Sequence, residues 1–155
     1  MDKLDELDYA ILKLLIQDAK TPYTEVGKLL NISSGTVHVR MRKLEQAGIV
    51  LGSTLAINHE ELGFKMCAFL GIDLVRDDLH DDVVTRLKEI RQILAAYFVS
   101  GPHTILARIV CHDKAELTEL LRSSIYPIEG IQRVEIYVSL TEYFSRSVSI
   151  AVPAG

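Results

Sequence analysis

Apolar residues at Leu4, Leu7, Ile11, Leu14 and Leu15 recur at three- and four-residue steps, with Asp5, Lys13 and Asp18 off that stripe. This spacing lays one apolar face along a helix. Asp5 followed three residues later by Asp8 predicts a capping box at its start. Thr21-Pro22 predicts the opening of a second helix, because proline suits the first helical position, and that helix should run to about Leu30. Asn31-Ile32-Ser33 predicts a tight break, since Asn tolerates left-handed backbone and Ser is a good N-cap. A third helix follows from about Ser34 to Ala47, with Val37, Met41 and Leu44 on its inner face and Gly48 as its stop.

After Gly48 the period shortens. Ile49-Val50-Leu51 and Thr54-Leu55-Ala56-Ile57 flank Gly52-Ser53, which predicts a β-hairpin. Three helices and then a hairpin is the order of a winged helix-turn-helix. Asn58 to Phe64, with Gly63, reads as a linker. The remainder follows a β-α-β-β-α-β rhythm. Met66 to Val75 is a strand with Met66, Ala68, Leu70, Ile72 and Leu74 on one face. Asp78 to about Ile90 is helical, with Val83, Val84, Leu87 and Ile90 inward. Ile93 to Val99 and Thr104 to Cys111 are strands joined by a turn, and Asp113 with Glu116 opens another helix as a capping box. Ile131 to about Phe144 alternates, with Val134, Ile136, Val138 and Leu140 opposite Arg133, Glu135, Tyr137 and Ser139. The expected fold class is α+β: a winged helix-turn-helix over residues 1–57, a linker over 58–64, and a ferredoxin-like βαββαβ domain over 65–155.

Composition narrows what this fold can do. The chain has 155 residues, 48% hydrophobic and 25% charged, enough to close a core and too apolar for disorder. The net charge of −4 argues against a nucleic-acid partner until its distribution is considered. Lys20, Lys28, Arg40, Arg42 and Lys43 lie between residues 20 and 50, against only Glu25 and Glu45. A local cationic patch on an acidic protein suits specific contacts without indiscriminate adhesion to polyanions. Cys67 and Cys111 sit in apolar runs without a CxxC partner, as reduced core thiols do. The charged opening Met1–Glu6 is unlike a secretory leader, and no apolar run approaches the roughly 20 residues that span a bilayer. A cytoplasmic protein with no membrane partner, cofactor or metal is expected.

The third helix carries the candidate chemistry. In a helix-turn-helix the second of the paired helices enters the major groove. With Val37, Met41 and Leu44 in the core, helical geometry turns Ser34, Gly35, His38, Val39 and Arg42 outward, with Thr36 and Arg40 at the margins. Ser33 at the cap and Lys43 at the far end complete the expected DNA-contacting set. Hydroxyls and imidazole can bond base edges or phosphate, Gly35 permits close approach, Val39 can meet a thymine methyl, and Arg40 or Arg42 can grip guanine or phosphate. The partner this predicts is double-stranded DNA, with Arg40→Ala and Arg42→Ala each weakening binding.

The run Ile32-Ser33-Ser34-Gly35-Thr36-Val37-His38-Val39-Arg40-Met41-Arg42-Lys43-Leu44-Glu45-Gln46-Ala47-Gly48-Ile49-Val50 resembles the recognition helix and wing of the Lrp/AsnC, or feast/famine, regulators. Leu7–Leu12 and Thr21–Val26 resemble that family's first two helices, and the C-terminal element order matches as well. The resemblance implies a transcription regulator rather than an enzyme. It also implies homodimers paired through their sheets, assembly into octamers in some members, and an amino-acid-like effector. The implied effector contacts are Gly101, Pro102, His103 and Thr104 in the turn after the domain's second strand, with Val134 and Ile136 on the last strand. Thr104 stands where an Asp or Ser is common, and Val134-Glu135-Ile136 replaces a Thr-x-Thr pair. Aliphatic side chains cannot bond a zwitterion, which argues against free asparagine or leucine and leaves a different ligand, or none, open. Two other readings share the fold: an architectural DNA-wrapping protein, and a sirohaem-decarboxylase-like enzyme. Against the enzyme, the five histidines are scattered without ligand spacing.

Overall fold

Two hydrophobic cores organise the chain in a computed structural model that describes residues 4–146 and 148–150. One unit takes in the described residues up to Ala56 and those from Phe144 to Ile150; the other is Ile57–Tyr143. Residues 1–3 and 151–155, at the two ends of the expected domains, lie outside the described residues.

In the first unit, helix α1 (Glu6–Gln17) begins on the expected capping box. Asp8 N donates to Asp5 Oδ1 at 2.9 Å and Asp5 N to Asp8 Oδ2 at 3.1 Å. Helix α2 (Tyr23–Leu29) starts one residue later than the proline rule suggests, because Pro22 keeps an extended ψ of 142° and takes the N-cap position itself. The break before helix α3 (Ser34–Gln46) forms as read: Asn31 is left-handed at φ 54°, and Ser33 Oγ accepts from Thr36 N at 3.0 Å. The helix ends on Gly48 at φ 69°, with Ile49 N donating to Leu44 O and Gly48 N to Glu45 O. These are the paired bonds of a Schellman stop. Ile11, Leu12, Val26, Val37, Met41 and Leu44 form the core.

The expected hairpin is absent: residues 50–57 carry no strand. Beyond Val50, which packs on the helical core, residues 51–57 are all exposed, Leu51 at 94% and Leu55 at 74%, so no core holds them, and an isolated two-stranded hairpin is marginal in water. Ile150, read from sequence with the sheet domain, packs against the helical core instead.

The second unit opens on a turn rather than a slack tether. Asn58 Oδ1 accepts from Glu60 N, Phe64 N donates to His59 O, and the Phe64 ring stacks on His112 at 4.4 Å. Strands β1 (Met66–Leu74), β2 (Ile93–Phe98), β3 (Ile105–Cys111) and β4 (Ile131–Val138) form one antiparallel sheet in the order β2-β3-β1-β4. Helix α4 (His80–Glu89) follows a 3-10 turn at Asp77–Leu79, and helix α5 (Lys114–Leu120) runs into a π turn at Leu121–Ile125. At α5 only half of the capping box forms: Asp113 accepts from Glu116 N, while Glu116 reaches back to His112 N, one residue beyond the expected donor.

The period-2 pattern places Ala68, Leu70, Ile72 and Leu74 in one core with Ile105, Ala107 and Ile109, and with Val83, Leu87 and Leu117 from the helices. The opposite sheet face carries Phe69, Tyr97 and Tyr137, all exposed. Strand β4 stops at Val138 rather than near Phe144, because its partner β1 begins at Met66 and offers one last acceptor, Cys67 O to Ser139 N.

Candidate nucleic-acid interface and ligand turn

Helix α3 presents two faces of opposite character. Val37, Met41 and Leu44 are buried, while Ser33, Gly35, His38, Val39, Arg42 and Lys43 are exposed and Ser34 and Thr36 are half-buried. Val39, a β-branched apolar residue left 64% exposed mid-helix, has no packing reason to be there. Ser33 and Thr36 are partly occupied with each other, Oγ to Oγ1 at 2.9 Å, as well as with the cap. The His38 ring meets Tyr23 of α2 edge-on at 4.6 Å, which fixes its direction.

The cations on this face divide. Arg42 and Lys43 are exposed and take part in no ion pair among the described residues. Arg40 differs: its Nη1 lies 2.5 Å from Asp5 Oδ2 and 2.9 Å from Asp8 Oδ1. The guanidinium donates to Asp5 and holds that carboxyl below its ordinary range; the same bond pushes the Arg40 pKa up. Sequence reading missed Asp5, Asp8 and Tyr23 as neighbours of the outward face. No periodic signal links residues 32 and 35 positions apart.

In the second unit, Gly101, Pro102, His103 and Thr104 do form the turn between β2 and β3. Thr104 N donates to Ile72 O, which pins the turn to the central strand. The His103 ring lies over Gly71, where no Cβ could fit. Its Nδ1 is 3.0 Å from Asp73 Oδ1, and its Nε2 is 3.1 Å from Tyr137 Oη and 3.4 Å from Glu135 Oε2. Tyr137 O–H donates to Glu135, which lowers the Glu135 pKa and raises that of Tyr137. A cleft of about 600 Å³ runs beside the turn, lined by Asp77, His80, Phe98 and residues 99–104.

Val134 and Ile136 do not join this group. They pair with Ile72 and Leu70 and so share the helix-covered side of the sheet, while His103 lies across Gly71 on the open side. The β4 residues beside His103 are Glu135 and Tyr137, joined by Asp73 of β1. The alternation alone had placed Glu135 and Tyr137 on one face; the signal lacking was which face the turn folds over.

Cys67 and Cys111 are unpaired thiols, and burial pushes Cys111 up to about 11. Among the described residues no group of three His, Cys, Asp or Glu side chains stands ready to hold a metal ion, and no helix is long and apolar enough to cross a membrane.

Residues 4–50 match the family model described as winged helix-turn-helix DNA-binding, and residues 67–149 match that of the Lrp/AsnC ligand binding domain. The chain is similar to regulatory protein AsnC of Haemophilus influenzae, 34% identical over 148 residues that cover 96% of this chain and 99% of that one. It is also similar to the HTH-type transcriptional regulator LrpA of Pyrococcus horikoshii, 37% identical over 131 residues that cover 84% and 92%. Among solved structures, Escherichia coli AsnC superimposes with a TM-score of 0.88 at 29% identity, covering 96% of this chain and 99% of that one. A Neisseria meningitidis transcriptional regulator solved with L-Met shares the fold, with a TM-score of 0.87 at 19% identity over 96% and 97% of the two chains. With a helix-turn-helix whose outer face stays exposed and a ligand-binding domain of matching topology, the chain belongs to the Lrp/AsnC family of transcription regulators.

Proposed function

We propose that this regulator reads duplex DNA with the outward face of α3, through Ser34, Gly35, His38, Val39, Arg42 and Lys43, with Ser33 and Thr36 presenting the helix N-terminus to a phosphate. The observation that carries this reading is the burial of Val37, Met41 and Leu44, which leaves Val39 and Arg42 facing solvent on the same helix. The helical unit, with residues 1–57, serves as the DNA-binding part, 58–64 as the connector and the sheet unit, which ends at Tyr143, as the effector and assembly part. The partner list is duplex DNA, a second copy of the chain and a small effector. Phe69, Tyr97 and Tyr137 on the open sheet face supply apolar area for a homodimer, from which an octamer can be built. Two α3 helices in such a dimer enter successive major grooves, so the operator is pseudo-palindromic. A regulator of this kind works in the cytoplasm, where the DNA is, and is not an enzyme.

Arg42→Ala weakens operator binding by about 1–3 kcal/mol at fixed salt. A gel-shift or anisotropy titration measures it, and undiminished affinity would remove α3 from the groove. Competition between operator and random duplex separates this reading from indiscriminate wrapping.

For the effector, support comes from the match of residues 67–149 to a ligand-binding domain and from the Neisseria neighbour solved with L-Met. The contacts proposed are Gly101, Pro102, His103 and Thr104, with Asp73, Glu135 and Tyr137 in place of Val134 and Ile136. Two carboxylates beside His103 suit a ligand that carries an ammonium group. A thermal-shift series over the twenty common amino acids is expected to raise the unfolding midpoint with at least one of them, because a ligand held only by the folded state stabilises it. Twenty flat responses would retire the amino-acid reading.

A further inference from the structure

Arg40 stands where a DNA contact is expected and is bound to something else. Its Nη1 bridges Asp5 and Asp8, both oriented beforehand by the reciprocal capping bonds at the start of α1. The guanidinium side chain is only 27% exposed, and Asp8 is 16% exposed, so this pair is partly shielded from solvent screening. Counting charges at this spot gives one cation against two carboxylates. A phosphate approaching Arg40 would meet net negative charge, and capturing the guanidinium would mean giving up two charge-assisted hydrogen bonds. Arg42 and Lys43, exposed a turn or less away, present no such obstacle.

We infer that Arg40 is a positioning residue for DNA recognition: tied to Asp5 and Asp8, it fixes the tilt of α3 against the start of α1 and makes no phosphate contact of its own. This rests on α3 being the groove helix. The ion pair joins the N-terminal end of α1 to the middle of α3, beside Val39 on the outward face. Recognition groups need their supporting contacts to hold them within a fraction of an ångström, and the core beneath α3 is small. The bond therefore acts on the accuracy with which His38, Val39 and Arg42 are presented, and so on discrimination between sequences more than on attraction to DNA as such.

The two roles predict opposite signs for one variant. If Arg40 were a phosphate contact hampered by its acids, Asp5→Asn/Asp8→Asn would free it, remove two negative charges near a polyanion and tighten binding to every duplex. If Arg40 positions α3, the same variant weakens binding to the cognate duplex, while binding to random duplex holds or strengthens. Asn remains a good N-cap, so α1 keeps its start. The test uses the full chain and the duplex that the wild-type protein selects from a random pool, with helix content checked by circular dichroism. The double Asn variant is expected to lose about tenfold in affinity for the selected duplex and nothing for random duplex, which is roughly the loss of one charge-assisted bond. Arg40→Ala is expected to weaken selected binding without changing the salt slope, whereas Arg42→Ala lowers the slope by about 1. Tighter or unchanged selected binding by the double Asn variant overturns the inference, as does a slope reduced by about 1 in Arg40→Ala. In either case α3 remains the groove helix. A wild-type chain that selects no duplex overturns both together.

Discussion

Gly27→Val unfolds the helical unit and abolishes DNA binding. Gly27 is buried at the end of α2, and a Cβ built there would stand 2.8 Å from Ile32 O and 3.3 Å from Ser34 N. Both are backbone atoms, so no side-chain rotation relieves the clash. The turn cannot drift away either, because Ile32 N donates back to Gly27 O at 2.9 Å and Asn31 is already held left-handed. Forcing atoms into a packed site costs about 1–3 kcal/mol where neighbours can yield, and backbone yields least. A helical unit of this size has a net stability of only a few kcal/mol, on the order of 0.05–0.15 kcal/mol per residue. The measurement is far-UV circular dichroism with an operator titration; a variant that keeps both signals would mean that the helix-turn-helix does not close as described. Gly27→Ala, with the same first atom and none of the branching, gives a milder version of the same loss.

Leu70→Ala is the matching prediction for the sheet. Leu70 sits in the centre of β1, the strand bonded on both sides, and is fully buried against the helices. Truncating a leucine in such a site costs about 2–5 kcal/mol, the larger values arising where the cavity cannot collapse. A strand held by ladders on both edges has little freedom to close the gap. Denaturant unfolding should show the midpoint lowered with an unchanged slope. An unchanged midpoint would place Leu70 outside the core and reverse the sheet's two faces.

That reversal would matter for the ligand turn, since Leu70 and Gly71 mark the two sides of β1. Leu70 faces the helices with Ile136, whereas Gly71 lies under His103 with Glu135 opposite it in the ladder. The expected contacts Val134 and Ile136 came from a resemblance in the strand's sequence, and one residue of offset in a strand exchanges faces completely. The β4 residues that stand beside His103, Glu135 and Tyr137, sit next to them in the chain.

Local physics made much of the chain legible. The Asp5–Asp8 box, the left-handed Asn31, the Ser33 cap and the Gly48 stop each depend on atoms within a few residues, so their side-chain chemistry reveals them without a fold. Periodicity likewise separated Val37, Met41 and Leu44 from Val39 and Arg42, and Leu70 from Phe69, because burial follows backbone geometry inside one element. Even the half-formed box at Asp113 differs from expectation by a single residue.

The sequence by itself determined the helices and strands of the two cores, the caps of α1 and α3, the buried stripe of each and the α+β class, all of which arise from interactions short in sequence. Only the tertiary structure decided that Arg40 belongs to Asp5 and Asp8, that His103 crosses Gly71, that residues 50–57 form no hairpin, and that β4 ends when β1 runs out of partners. The reason is common to all four. Each depends on which groups distant in the chain come within bonding distance, and hydrophobic pattern fixes which face an element buries without fixing what its polar face will meet.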